Sequence, residues 1–264
     1  MQGNKKPRVS LYMTMFELHR WFSHVLLKRK YHWKGVFVLL MLLSSYKVES
    51  QDVINLPGYT RAHYHFGFII GYNTSSFYIN PSPNIARFDS LKTIRSVPQG
   101  GFDLGIVAEL SLFRYLKLRF VPSLGFSDRQ IAYNFEGVDT FTVTKDIQSV
   151  FLNFPLDLKL VSKRLQNFGA YVIAGGKYAT DLASQNDVNQ QLAGAHATVR
   201  IDKNDLYYEA GGGVEFYLPY FKLGIELKVS QGTRNLIIPD NTVYTKSING
   251  LYSKTYLFSL TFEG

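Results

Sequence analysis

His63 and His65 stand two apart, so on an extended strand they share a face and could offer two imidazoles to one metal ion. No third ligand follows at metal-site spacing, and the pair reads as plain rim residues at a strand end. Asp181 and Asp187 fall in a polar stretch where solvation accounts for them. No nucleophile elbow, phosphate-cradling glycine loop or zinc-ligand pattern occurs, and no base, nucleophile and orienting group come together. The chain has no cysteine, which excludes a disulfide framework and thiolate metal sites. We therefore expect no enzyme, no cofactor and no metal. A larger set is more informative: Asp103, Glu109, Asp157, Glu209, Glu215 and Glu226, with Lys117, Arg119, Lys159, Lys177, Lys222 and Lys228. Both signs are balanced, and they alternate with apolar neighbours in a period-two pattern, although on the strand of Lys177 the apolar Tyr171 and Ile173 share its face. Such a face could run a proton relay or an ion path. It could equally be a structural salt-bridge plug, the expectation preferred here because narrow barrels are normally filled by side chains.

The elements that must position these charges are strands. In the stretch 206–230, Leu206, Tyr208, Ala210, Val214 and Phe216 alternate with Tyr207, Glu209 and Glu215. After a turn at Pro219, Phe221, Leu223, Ile225, Leu227 and Val229 alternate with Lys222, Glu226 and Lys228. Period-two alternation on both sides of a short turn predicts a β-hairpin. A helix is disfavoured because the glycines at 211–213 would each cost it roughly 1 kcal/mol against alanine. The same alternation recurs near 64–72, 102–110, 116–126, 150–160, 168–180 and 251–263, giving eight strands. Long polar loops are expected at 74–99, 136–146, 181–205 and 232–250, alternating with short turns at 111–114, 162–167 and around Pro219. Pro155, on the polar face of its strand, is expected to bulge it.

Alternation alone does not say which face points inward. The glycines decide it: Gly67, Gly71, Gly105, Gly125, Gly175, Gly211, Gly213 and Gly224 lie on the polar face. A water-exposed surface has no use for missing side chains, whereas a crowded lumen does. Aromatic residues Tyr64, Tyr72, Tyr178, Phe216 and Tyr252 sit near strand ends, as membrane girdles do. The expected fold is all-β: an eight-stranded antiparallel up-and-down transmembrane barrel over 63–264, with the apolar face on lipid. Lys254, which parity puts on that face, is expected to snorkel at the rim.

The net charge of +9 belongs mostly to the leader. Residues 1–50 hold nine Lys/Arg and two Asp/Glu, a net of +7, which leaves +2 for 51–264. A nucleic-acid partner needs its basic footprint on the folded domain, so none is expected. The apolar run at 35–43 is too short to span a bilayer as a helix, and its basic flank makes it a secretory signal peptide. The expectation is a leader of 1–50 exported through Sec and cleaved after Ser50, a short periplasmic segment of 51–62, and a barrel in the bacterial outer membrane.

Collinear stretches carry a family resemblance: HFGFIIGYN at 65–73, GIVAEL and LKLRFVPSLGF within 105–126, NFPLDLKLVSKR at 153–164 and YVIAGGKYATDLASQ at 171–185. To these add YEAGGGVEFYLPYFKLGIELKVSQG at 208–232 and SKTYLFSLTFEG at 253–264. The chain resembles the PorT family, outer-membrane proteins of the type IX secretion system and of gliding motility. The resemblance implies a non-catalytic component needed for protein export. The expected partners are outer-membrane lipid and other proteins of the secretion system. Arg114, Lys163 and Arg164, on the short turns, are the residues expected to dock them. Two other readings stay open: a surface adhesin or receptor acting through long loops, and a barrel enzyme.

Overall fold

The structure, a computed structural model, describes residues 54–59, 62–83, 91–136, 140–183, 199–240 and 242–264. The leader, its cleavage after Ser50 and Asp187 lie outside the described residues. Ten ladder segments follow in order: β1 (Tyr64–Pro81), β2 (Leu91–Val97), β3 (Gln99–Ser111), β4 (Leu116–Phe120), β5 (Ser123–Glu136), β6 (Thr140–Val161), β7 (Phe168–Asp181), β8 (Asn204–Tyr217), β9 (Lys222–Gly232) and β10 (Ile248–Glu263). One short helix, α1 (Val243–Lys246), precedes β10.

These segments make eight staves. β2 and β3 are one strand broken at Pro98, since both pair with β5. β4 and β5 are one strand broken at Val121–Pro122, since both pair with β6. All neighbours are antiparallel, and β1 pairs with both β10 and β3, which closes the ring. Closure removes sheet edges, and strands satisfied on both sides can cross hydrocarbon.

The break at Val121–Pro122 corrects the expectation for Pro155. β6 runs through Pro155 in continuous register with β7, pairing Phe154 with Tyr178, Pro155 with Lys177 and Leu156 with Gly176. Proline has no N–H to give. Its missing donor falls opposite Val121, and the interruption is taken up by that facing strand, where Val121 N still donates to the Pro155 carbonyl at 3.4 Å.

Parity sets the two faces as the alternation requires. Phe66 is 64% exposed on the outside and Leu227 also 64%, while the intervening charged residues are buried. A continuous belt of exposed Phe, Leu, Ile and Tyr on a folded chain is a lipid-facing surface. Lys254 is half-buried on that outer face, its ammonium 5.0 Å from the Tyr256 ring centre.

Two expected loops are largely strand. β1 continues to Pro81 and β2 occupies 91–97, while β5 and β6 pair up to Glu136 and Thr140. The alternation persists there with its polarity exchanged. On β5 the outward positions pass from Leu124 and Phe126 to Asp128 and Gln130, and the inward ones from Ser127 and Arg129 to Ile131 and Tyr133. Beyond the bilayer band the barrel is built like a soluble protein, polar outside and apolar within. Its core there joins Phe77, Ile131, Tyr133, Leu236 and Leu251 with the loop residue Ile201. Residues expected as the last long loop contain α1, capped by Thr242, and the start of β10.

Candidate functional site at the lumen and its short-turn mouth

The period-two pattern brings the inward charges into one network. Lys159 Nζ lies 2.6 Å from Glu215 and 2.8 Å from Glu109. Lys222 Nζ lies 2.9 Å from Glu215 and 2.8 Å from Glu263. Lys117 adds a 2.6 Å bond to Glu109, and Arg119 one of 2.6 Å to Glu226. Nearer the other end, Lys228 bridges Asp157 and Glu209 at 3.2 Å each, with Lys177 3.4 Å from Glu209. Asp103 accepts from Asn73 at 2.7 Å. Lys159 and Lys222 are 0% exposed, so the lumen at this level is filled by side chains.

The glycines of β8 and β9 make room for one aromatic. A Cβ on Gly213 would collide with the Ile225 carbonyl oxygen and stand 2.6 Å from the Tyr171 hydroxyl. That hydroxyl donates to Glu226 at 2.8 Å, and the Tyr171 ring lies 4.3 Å from the Lys159 ammonium.

Sequence reasoning missed several members. Glu263 is buried in the same network on the inward parity of β10, and parity could have found it; His65, expected as a rim residue, is buried beside it on the inward parity of β1. Arg129 is buried between the rings of Phe77 and Phe151, at 4.5 and 4.8 Å, and donates to Ser149 and Ser253. It lies beyond the point where the strand was expected to end. Asp181 was assigned to solvent; it is buried, accepts from Val150 N at 3.2 Å and sits 3.9 Å from Arg129.

At the short-turn end, which faces the periplasm in bacterial outer-membrane barrels, residues 54–59 form a strap across the mouth. Tyr59 stacks on His65 at 3.9 Å, meets Tyr217 edge-on at 5.7 Å and donates its hydroxyl to Glu263 at 3.0 Å. Burial, reinforced by the Glu263 and Glu109 charges, pushes the Tyr59 phenol far above its ordinary range, so it stays a donor. Asn55 donates to the Tyr217 carbonyl and its amide N to Asn167 Oδ1, both at 2.9 Å. Arg164 clamps the strap: its guanidinium lies 3.8 Å from the Tyr217 ring centre and donates to the carbonyls of Asn55 and Leu56. The His pair separates, because His65 turns inward with Nε2 2.8 Å from the Tyr59 carbonyl while His63 is exposed before β1 begins. Among the described residues no group of three His, Cys, Asp or Glu could hold a metal.

Beside the strap lies a cleft of about 670 Å³. Its walls are Ile54, Pro57 and His63 of the strap side, the β3–β4 turn with Phe113 and Arg114, and the β6–β7 turn with Lys163 and Arg164; Lys117 and Tyr217 also line it. Arg114 and Lys163 are exposed here, whereas Arg164 is half-buried and engaged.

The model of an outer membrane protein beta-barrel domain matches residues 46–237. No curated protein matches the chain. Among solved structures, the outer membrane protein OprG from Pseudomonas aeruginosa is similar at 13% identity and a TM-score of 0.43, over 77% of this chain and 98% of that one. Ail, the attachment invasion locus protein of Yersinia pestis, is similar at 13% identity and a TM-score of 0.34, over 77% and 100%. The outer membrane protease OmpT from Escherichia coli is similar at 11% identity and a TM-score of 0.35, over 76% and 95%.

Proposed function

The chain belongs to the outer membrane protein β-barrel domain family, and from that premise we propose that it is a non-catalytic assembly or accessory component of the type IX secretion and gliding machinery. The resemblance to the PorT family across 63–264 supports the pathway. The observation that carries the role is the filled lumen: Lys159, Lys222, Glu109 and Glu215 are buried and bonded to one another where a conduit would have to run. An eight-stave barrel so packed does not pass folded cargo. Its working surfaces are then the ends, and the short-turn mouth with Arg114 and Lys163 faces the compartment where the rest of a secretion machine would meet it.

Deletion of the gene with a readout of secreted cargo tests this reading. Loss of cargo at the cell surface, with other outer-membrane barrels still inserted, is the expected result; unchanged secretion would overturn it. A surface adhesin or receptor is the second reading. It is favoured by the tall β5–β6 hairpin and the apolar core that supports it beyond the bilayer band, and it predicts unchanged secretion with loss of surface attachment.

A further inference from the structure

We infer that the cleft beside the strap is a receptor for a peptide segment of a periplasmic partner, one that presents carboxylates next to a large apolar side chain. This deepens the docking reading above and rests on it.

The charge of the cleft is one-sided. Its lining includes Arg114, Lys117, Lys163 and Arg164, and no carboxylate. Two of these cations are committed: Lys117 to Glu109 at 2.6 Å, and Arg164 to the strap carbonyls. Arg114 and Lys163 pair with no carboxylate among the described residues. They stand on two turns that are joined directly, through Val161 N donating to the Tyr115 carbonyl at 2.8 Å. The lumen behind them pairs its buried lysines with acids, so the unbalanced charge of the mouth is not shared by the lumen beneath it.

Next to these cations the cleft exposes apolar surface that a periplasmic turn does not need for solubility. Phe113 is 72% exposed, Ile54 57% and Leu112 42%. Exposed apolar side chains rimmed by charge mark contact sites, and a volume near 670 Å³ suits a few buried side chains. The position of the cleft selects a protein over a lipid headgroup. Lys117 and Tyr217 face inward, so the cleft opens over the lumen and the strap, on the side of the turns away from the bilayer.

The test uses the whole protein in nanodiscs of zwitterionic lipid and a fluorescent short peptide of alternating aspartate and phenylalanine, with its asparagine counterpart as the neutral probe. The acidic peptide should bind saturably and weaken with added salt. The neutral peptide, and the double variant Arg114→Glu with Lys163→Glu, should bind about tenfold more weakly, the scale of two exposed ion pairs lost or reversed. Heat-modifiable migration of the variant confirms that its barrel is folded. Equal binding of both peptides, binding that survives the double reversal, or binding seen only once phosphatidylglycerol is added would overturn the inference. Cargo export in cells carrying the same variant separates the two layers. Loss of export without any acidic-peptide binding leaves docking standing and removes this ligand chemistry; peptide binding with normal export in the variant removes docking and keeps the site.

Discussion

Arg119 on β4 and Glu226 on β9 meet at 2.6 Å although their strands are not neighbours in the ring, and each side chain is 1% exposed. The bond therefore spans the lumen and ties opposite walls. A buried pair of this kind adds little net stability over apolar packing, yet removing one partner strands the other. Glu226→Leu leaves the Arg119 guanidinium without its closest acceptor and the Tyr171 hydroxyl without its own. The expected loss is about 3–5 kcal/mol in urea unfolding from lipid vesicles, and Arg119→Met added to it should restore much of the loss. A single variant as stable as the parent would show that the pair is not buried.

One residue away the face changes. Ile225 points outward between Val214 and Leu260, so Ile225→Arg places a cation against hydrocarbon. A loss of about 2–4 kcal/mol is expected near the bilayer midplane. The same unfolding assay reads it. If Ile225→Arg is neutral while Glu226→Leu is costly, the lipid does not contact this strand.

Gly213 offers a steric test of the crowded interior. Gly213→Ala drives a methyl toward the Ile225 carbonyl and the Tyr171 hydroxyl, and should cost about 1–3 kcal/mol as overpacking. Gly212→Ala is the control, since its methyl would meet the Tyr171 carbonyl at 3.1 Å and only Val172 beyond. Equal effects at the two positions would contradict an interior filled around Tyr171.

Arg164 holds the strap. Arg164→Ala removes its donors to Asn55 and Leu56 and its stacking on Tyr217, a loss of roughly 1.5–3 kcal/mol for charge-assisted bonds that act locally. Amide exchange at Tyr59, whose N–H donates to the Leu56 carbonyl at 3.1 Å, should accelerate while exchange in β7 and β8 is unchanged. Retained protection at Tyr59 would show that the strap is seated by other contacts. Arg164 was expected from sequence as a docking cation; the structure gives its side chain an internal duty, which leaves Arg114 and Lys163 as the exposed charges of that set.

What sequence could reveal follows from the period of two. Wherever an apolar residue at one position opposed a charge or glycine at the next, as in Ile225 and Glu226, strand, face and lumen role were readable together. Strand ends were not, because β1 and β5 exchange their polarity on leaving the bilayer. Along β1 the inward face passes from Asn73 and Ser75 to Phe77 without a break in the alternation, and a pattern sought with one polarity misreads that end as loop. The strap was unreadable for another reason. Tyr59, Asn55 and Arg164 come together across more than a hundred residues of sequence, and no local spacing announces that contact. Pro155 shows a third limit: a proline signals a missing donor but not which of two paired strands will yield.

The central claim is that this barrel acts through its periplasmic mouth. The most direct measurement is secreted cargo from cells whose only copy carries Arg114→Glu and Lys163→Glu, compared with cells in which Glu226 and Arg119 are exchanged within the lumen. Both proteins must be present as heat-modifiable barrels in the outer membrane. The mouth variant should lose export and the lumen exchange should keep it. Export that survives the mouth reversal and fails with the lumen exchange would contradict the claim and place the function inside the barrel.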